Sequence, residues 1–306
     1  MQKDFDVVVV GELNADLILR GNVTPEFGQV EKLIDDATLT LGSSAAIFAC
    51  GAARLGLKVA FTGKVGNDEF GNFVVKELSK RGVDTAGVVV DAAIKTGLSV
   101  ILSQGDDRGI LTYPGSISAL RYAEIDPALL GRGRHLHLAS YFLLDGLRAD
   151  IPALFKAARQ NGASISLDTN YDPTGVWDGG LRETLGLVDI FLPNLTELMA
   201  IAGVSDSREA GDILAKQVPI LALKLGPEGA LARQGNTLVR AAVPGVKVVD
   251  TTGAGDSFDA GFIYGYLNDW NLERTLKLAC ACGSLSTRGP GGTATQPTLS
   301  EALALV

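Results

Sequence analysis

From about residue 133 onward the chain alternates short apolar, β-rich runs with longer amphipathic stretches, and this rhythm constrains the fold more than any other feature. Strands are expected at 134–139, 163–168, 189–193 and 219–224, and helices at 147–161, 181–187, 194–202 and 207–216. Strand–helix–strand succession needs a crossover for each step, which makes the strands parallel and covers both faces of the sheet with helices. The start of the chain fits the same sheet. Residues 5–10 read as a buried strand ended by Gly11, 43–55 as a buried helix closed by Gly56, and 58–62 as a second strand. Residues 68–81 form an amphipathic helix with Asp68 as N-cap and Gly82 after it. Runs at 97–103 and 108–113, joined by Gln104-Gly105-Asp106-Asp107, read as a hairpin. With 15–41 they make a small sheet apart from the main one. No repeat or low-complexity linker divides the 306 residues, so one α/β domain over 1–306 with a β outgrowth is expected.

Composition removes several function classes. Lys and Arg number 27 against 35 Asp and Glu, a net charge of −8. Such a chain lacks the electrostatic footprint for a nucleic-acid backbone or anionic lipid, so neither partner is expected. The N-terminus has no apolar signal segment and no stretch of eighteen apolar residues occurs, so the expected location is cytoplasmic. Three cysteines (Cys50, Cys280, Cys282) are too few and too oddly numbered for a disulfide scaffold. His135 and His137 fall on one face of a strand without further ligands in sequence, which favours packing over metal binding.

The segment most suggestive of chemistry is Asp250-Thr251-Thr252-Gly253-Ala254-Gly255-Asp256-Ser257-Phe258. It follows a strand-like stretch at 246–249 and leads into a helix from about 255 to 267. A Gly-rich turn opening a helix leaves backbone N–H groups pointing outward at the positive end of the helix dipole, a ready anion site. Asp256 at its mouth either caps the helix or takes a proton from an attacking hydroxyl. Asn194 and Glu197 have the spacing of a capping-box variant. Asn14 and Asp16 lie just past the first strand, at the edge where open α/β sheets collect ligands, and read equally as turn formers. Asp168 ends a strand, where it reads as an Asx turn.

The 250–261 segment resembles the C-terminal signature of the ribokinase-like (PfkB) carbohydrate kinases, centred on Gly-Ala-Gly-Asp. Other pieces follow in the same order. Gly11-Glu12-Leu13-Asn14-Ala15-Asp16 resembles the family's first strand with its sugar-contacting Asn and Asp. Gly42-Ser43-Ser44-Ala45-Ala46 and Gly63 to Gly71 are similar to its N-terminal signature. Asn194-Leu195-Thr196-Glu197 matches its Asn-x-x-Glu motif, and Lys224-Leu225-Gly226-Pro227-Glu228-Gly229 its nucleotide-contacting strand and turn. The resemblance spans residues 6 to about 292.

It implies an α/β, ribokinase-like three-layer sandwich with a mostly parallel central sheet and a small β lid formed by about 13–41 and 96–116. It implies in-line transfer of the γ-phosphoryl group of ATP to a primary hydroxyl of a small carbohydrate. Asp256 would be the base, and the amides of Gly253, Ala254 and Gly255 the anion hole. Asn14, Asp16, Gly42, Ser43 and Ile47 would meet the acceptor, and Asn194, Glu197, Lys224, Gly226 and Gly229 the nucleotide. Mg²⁺ would sit near Glu197 through water. Asp250 and Thr252, with carbonyls of 284–292, resemble a monovalent-cation site for K⁺. A lid contact implies a homodimer. The family's Asn, four residues after its second Gly, is Ile47 here, so a more apolar acceptor pocket is expected. A nucleoside kinase of the same fold and a catalytically weak sugar-binding protein are the rival readings. Gly289-Pro290-Gly291-Gly292-Thr293-Ala294 fits a dinucleotide fingerprint only on paper, because no clear strand precedes it, and no P-loop motif occurs.

Overall fold

The computed structural model describes residues 3–105 and 107–306. Asp106, part of the expected hairpin turn, lies outside the described residues. The main sheet has nine strands, in the order Val83–Asp84, Val59–Thr62, Phe5–Val10, Gly133–Leu138, Ser164–Leu167, Ile190–Phe191, Ile220–Lys224, Ala230–Gln234, Thr237–Ala241. Every neighbouring pair up to Ile220–Lys224 is parallel, and the last two strands add antiparallel. The alternation of side chains along a strand divides the core in two. Val7 and Val9 pack on one face with the helices Ser44–Arg54, Ala254–Leu267 and Leu272–Ser286. Val8 and Val10 pack on the other with Ile151–Gln160, Leu195–Ala202 and Ser207–Leu214. The result is a three-layer sandwich. No described helix is long and apolar enough to cross a membrane.

A second sheet of four strands runs Asp36–Leu41, Asn14–Arg20, Gly97–Gln104, Asp107–Tyr113. Its strand Asn14–Arg20 continues from the first strand of the main sheet after only Gly11, Glu12 and Leu13, so this short run of backbone is one of the links between the two sheets. His135 and His137 are fully buried and bond to Ser164 and Ser166, and His137 stacks on Phe48 at 3.6 Å, which is the packing role expected.

Two local expectations change. Residues 246–249 form no strand; Val249 and Asp250 donate their N–H groups to Thr287 O at the end of helix Leu272–Ser286, and no neighbouring strand offers a ladder. The helix expected at 147–161 is two, Asp145–Arg148 and Ile151–Gln160. Pro152 has no N–H to give and is tolerated only in a first turn, so a new helix starts there.

Candidate active site

The parallel strands direct their C-terminal ends to one edge of the sheet. Asp168, Asn194 and Lys224 stand there, and Lys224 N donates to Pro193 O at 2.9 Å, which fixes Lys224 beside Asn194. Between this edge, the small sheet and the start of helix Ala254–Leu267 lies a cleft of about 610 Å³. Asn14, Asp16, Ser43, Ile47, Asn194, Glu197, Lys224, Gly226, Thr252, Gly253, Gly255 and Asp256 all line it. Motifs scattered over 243 residues of chain therefore converge on one cavity.

Gly253 is the N-cap of helix Ala254–Leu267, with φ +72. A Cβ there would stand 2.7 Å from Gly292 Cα and 2.9 Å from Ile47 Cγ2, so both conformation and space require glycine. The Ala254 N–H donates to Thr251 O at 3.2 Å. This corrects the expected trio of anion-binding amides: the turn before the helix uses the Ala254 donor. Among the described residues the N–H groups of Gly253, Gly255 and Asp256 have no protein acceptor. They are the free donors of the helix start, and the dipole adds positive potential at the same point.

Asp256 is buried at the cleft wall. Burial, then the charge of Asp168, pushes its carboxyl up to about 8. A carboxyl so placed is matched to accept a proton near neutral pH. Beneath it, Lys224 Nζ donates to Asp168 Oδ2 at 2.8 Å and to both oxygens of Asp259 at 3.2 Å. Asp168, Asp256 and Asp259 each present an oxygen within 4.8 Å of the others. Burial works to lower the Lys224 ammonium, but Asp168 and Asp259 hold it above its usual range. Burial works to raise Asp168, but the charge of Lys224 together with the hydrogen bonds from Asp259, Lys224 and the Asn170 N–H holds that carboxyl low. Lys224 is thus the partly buried countercharge of the site. Asp259, one helical turn after Asp256, is a member that sequence reading missed. The i, i+3 spacing on one helix face is the signal that could have found it.

At the other end, Asn14 Nδ2 donates to Asp16 Oδ1 at 2.8 Å and lies 3.4 Å from Ser99 Oγ. Burial raises Asp16 to about 7, against the Asn14 hydrogen bond and with help from Glu12. Gly42 does not line the cleft but backs this pair. Ser43 adopts φ +72, an uncommon conformation for a residue with a side chain. Its hydroxyl donates to Glu12 O at 2.6 Å and accepts from Ala46 N at 2.9 Å, capping helix Ser44–Arg54. Glu12 Oε1 accepts from Ser44 N at 2.8 Å, so this unpredicted carboxylate caps the same helix. Ile47 wedges against Gly292 and Gly253 and presents an apolar wall, as expected.

Asn194 and Glu197 form a full capping box: Asn194 N donates to Glu197 Oε2 at 2.8 Å, and Glu197 N to Asn194 Oδ1 at 2.9 Å. Burial, then Asp168, raises Glu197 to about 7. Gly226 reaches the cleft; Gly229 does not. Gly229 has φ +93, and a Cβ there would meet Ala241 O at 2.0 Å, so it shapes the turn between two strands. Asp250 lies outside the cleft lining. Its Oδ1 accepts from Thr252 N and Oγ1 at 2.9 and 2.7 Å, its Oδ2 accepts from Gly291 N at 2.9 Å, and Arg20 Nη2 is 3.7 Å from Oδ2. These donors and the Arg20 guanidinium already meet both oxygens of the carboxylate. Arg108, another residue sequence reading missed, reaches in from strand Asp107–Tyr113 and donates to Thr252 Oγ1 at 2.9 Å.

Residues 4–299 match the family described as pfkB family carbohydrate kinase. The chain belongs to the pfkB family. It is 34% identical to an uncharacterized sugar kinase of Archaeoglobus fulgidus, over 74% of this chain and 90% of that protein. It is 32% identical to the ATP-dependent ribose-1-phosphate kinase of Halopiger xanaduensis, over 98% and 97%. Among solved structures, a probable sugar kinase from Rhizobium etli superposes with a TM-score of 0.87 at 27% identity, covering all of both chains. As a pfkB kinase the protein is a phosphotransferase acting on small sugars. The large sheet, the helical layers and the cleft at the strand ends are the ribokinase-like fold expected.

Proposed function

We propose that this pfkB kinase moves the γ-phosphoryl group of ATP to a hydroxyl of a small carbohydrate, with Asp256 as general base. The observation that carries the reading is the pairing, at one helix start, of an unsolvated carboxyl with three acceptor-free amides. Donors aimed at one point gather the transferring PO₃ charge, and each is worth ~3 kcal/mol in such sites. Asp256 takes the proton of the acceptor hydroxyl as its oxygen attacks phosphorus in line, and the ADP oxygen leaves. Asn14 and Asp16 hold other hydroxyls of the acceptor.

A Mg²⁺ ion would neutralise phosphate charge. Glu197 suits it, because it is a buried carboxyl facing the cleft whose raised proton affinity a dication would reverse. The small sheet would act as a lid that excludes water from the acceptor. The exposed apolar residues Leu39, Leu111 and Tyr113 on that sheet support a homodimer formed through it.

The test is a coupled ADP-release assay with ATP and a panel of pentoses, ketohexoses, sugar acids, sugar phosphates and adenosine. Acceptor-dependent ADP release with a sugar is the expected result. Release with adenosine alone would replace the sugar-kinase reading by a nucleoside kinase, and release with none would remove catalysis.

A further inference from the structure

The cleft is crowded with carboxyl groups. Among the described residues its walls carry the carboxyls of Glu12, Asp16, Asp168, Glu197 and Asp256 but only two cations, Lys224 and Arg108. Lys224 is bonded to Asp168 and Asp259. Arg108 is different. It is exposed, it bonds only to the neutral Thr252 hydroxyl, and among the described residues no carboxylate lies within the 4 Å of an ion pair. The Arg108 charge reaches Asp16 and Asp250 and works to lower both carboxyls, but it forms an ion pair with neither, which leaves the guanidinium open to an anion in the cleft.

Its place on the small sheet indicates which substrate. Arg108, Ile110 and Thr112 alternate along one strand and all line the cleft, so they form one wall. Ser99 pairs with Thr112 across the ladder and Ile101 with Ile110. Ser99 Oγ is 3.0 Å from Thr112 Oγ1 and 3.4 Å from Asn14 Nδ2. The wall thus runs from the hydroxyl-binding pair Asn14 and Asp16, across the apolar Ile101 and Ile110, to Arg108. From Thr112 to Arg108 the strand rises ~13 Å. The residues matching the nucleotide-side motifs come instead from the ends of the main-sheet strands.

We propose that Arg108 is a specificity residue for the acceptor and that this kinase prefers an acceptor bearing an anionic group, a carboxylate or a phosphate. The inference rests on the kinase reading above. Without Arg108 such an acceptor would meet five carboxyls and no available cation. With it, the planar guanidinium offers a charge-assisted, two-pronged bond to either anion.

The experiment is steady-state kinetics with ATP and three acceptors: fructose (neutral), 2-dehydro-3-deoxygluconate (carboxylate) and ribose 1-phosphate (phosphate). Wild type, Arg108→Gln and Arg108→Lys are compared, and folding is checked by thermal unfolding. The expected result is an anionic acceptor used with kcat/KM at least ~10² above fructose, with the carboxylate and phosphate arms identifying which anion. Arg108→Gln then raises KM for that acceptor ~10- to 100-fold, leaves KM for ATP within about twofold, and is partly rescued by Arg108→Lys. Fructose used as well as both anions, or a loss in Arg108→Gln that falls on KM for ATP, overturns the inference while leaving the kinase reading intact. No ADP release with any acceptor, neutral or anionic, overturns the kinase reading itself.

Discussion

Gly42 lies so close to Asp16 that a Cβ atom on it would stand 2.2 Å from Asp16 Oδ1. The same atom would stand 2.4 Å from Asn14 Nδ2. Gly42 thus leaves room for the Asn14–Asp16 bond without lining the cleft itself. Gly42→Ala should raise KM for the acceptor at least ~10-fold, with KM for ATP unchanged. Equal acceptor KM in the variant and the wild type would show that the pair tolerates displacement.

Asp256 must be ionised to act as a base, and its carboxyl sits at about 8. The rate should therefore climb with pH on the acid side and level off above about pH 8, read as kcat/KM for the acceptor between pH 6 and 9.5. Asp256→Asn should lower turnover by at least ~10² while ATP affinity stays near normal. Near-normal turnover in that variant would falsify the base assignment.

The same residue makes a claim about stability. Its folded value of about 8 lies well above that of an unfolded Asp, near ~3.9. The folded chain keeps a proton that the unfolded chain releases, so stability falls as pH rises from the unfolded value through about 8. Asn cannot ionise and escapes this loss. The melting temperature of Asp256→Asn should therefore exceed that of the wild type by a margin that grows from pH 5 to pH 8, reaching at least ~2 °C. A margin that is constant or shrinks over that range would contradict the buried acid.

Lys224 bonds the buried carboxyls of Asp168 and Asp259, and removing it leaves the Asp168 charge without its cation. Lys224→Met should cost ~3–5 kcal/mol in urea unfolding. Lys224 also lowers the proton affinity of Asp256. The acid limb of the variant's pH–rate profile should therefore move above pH 8. A destabilised variant whose limb stays in place would make Lys224 purely a packing residue.

Asp250 accepts three hydrogen bonds from Thr252 and Gly291 and lies 3.7 Å from Arg20. Turnover should consequently be the same within about twofold in potassium and in sodium chloride at equal ionic strength. A strong preference for potassium would mean that the carbonyls of 284–292 bind the ion without the carboxylate.

Much of this site was legible because its parts are local. Gly253, with its left-handed backbone, and Asp256, at the helix start, sit within a single nine-residue segment, and Asn194 and Glu197 satisfy each other across one helical turn. The parallel sheet was legible because buried strands alternate with helices whose caps, such as Asp68, can be read directly. What stayed hidden depends on distant pairing. Arg108 and Thr252 are 144 residues apart, and nothing in the exposed strand around Arg108 marks its partner. Lys224 reads as a solvated strand end until the fold closes Asp168 and Asp259 over it. The missing strand at 246–249 has the same origin: β-branched residues fit an extended chain, but only neighbours make a ladder.

The strand Asp107–Tyr113 is exposed along its whole length, yet three of its side chains face the cleft. Residues with no duty in the core are free to change without threatening the fold. Asn14 and Asp16 lack that freedom, because their strand grows out of the central one. Divergence in what the enzyme accepts should therefore accumulate at positions 108, 110 and 112, where novelty is cheapest, while the chemistry beneath is inherited unchanged.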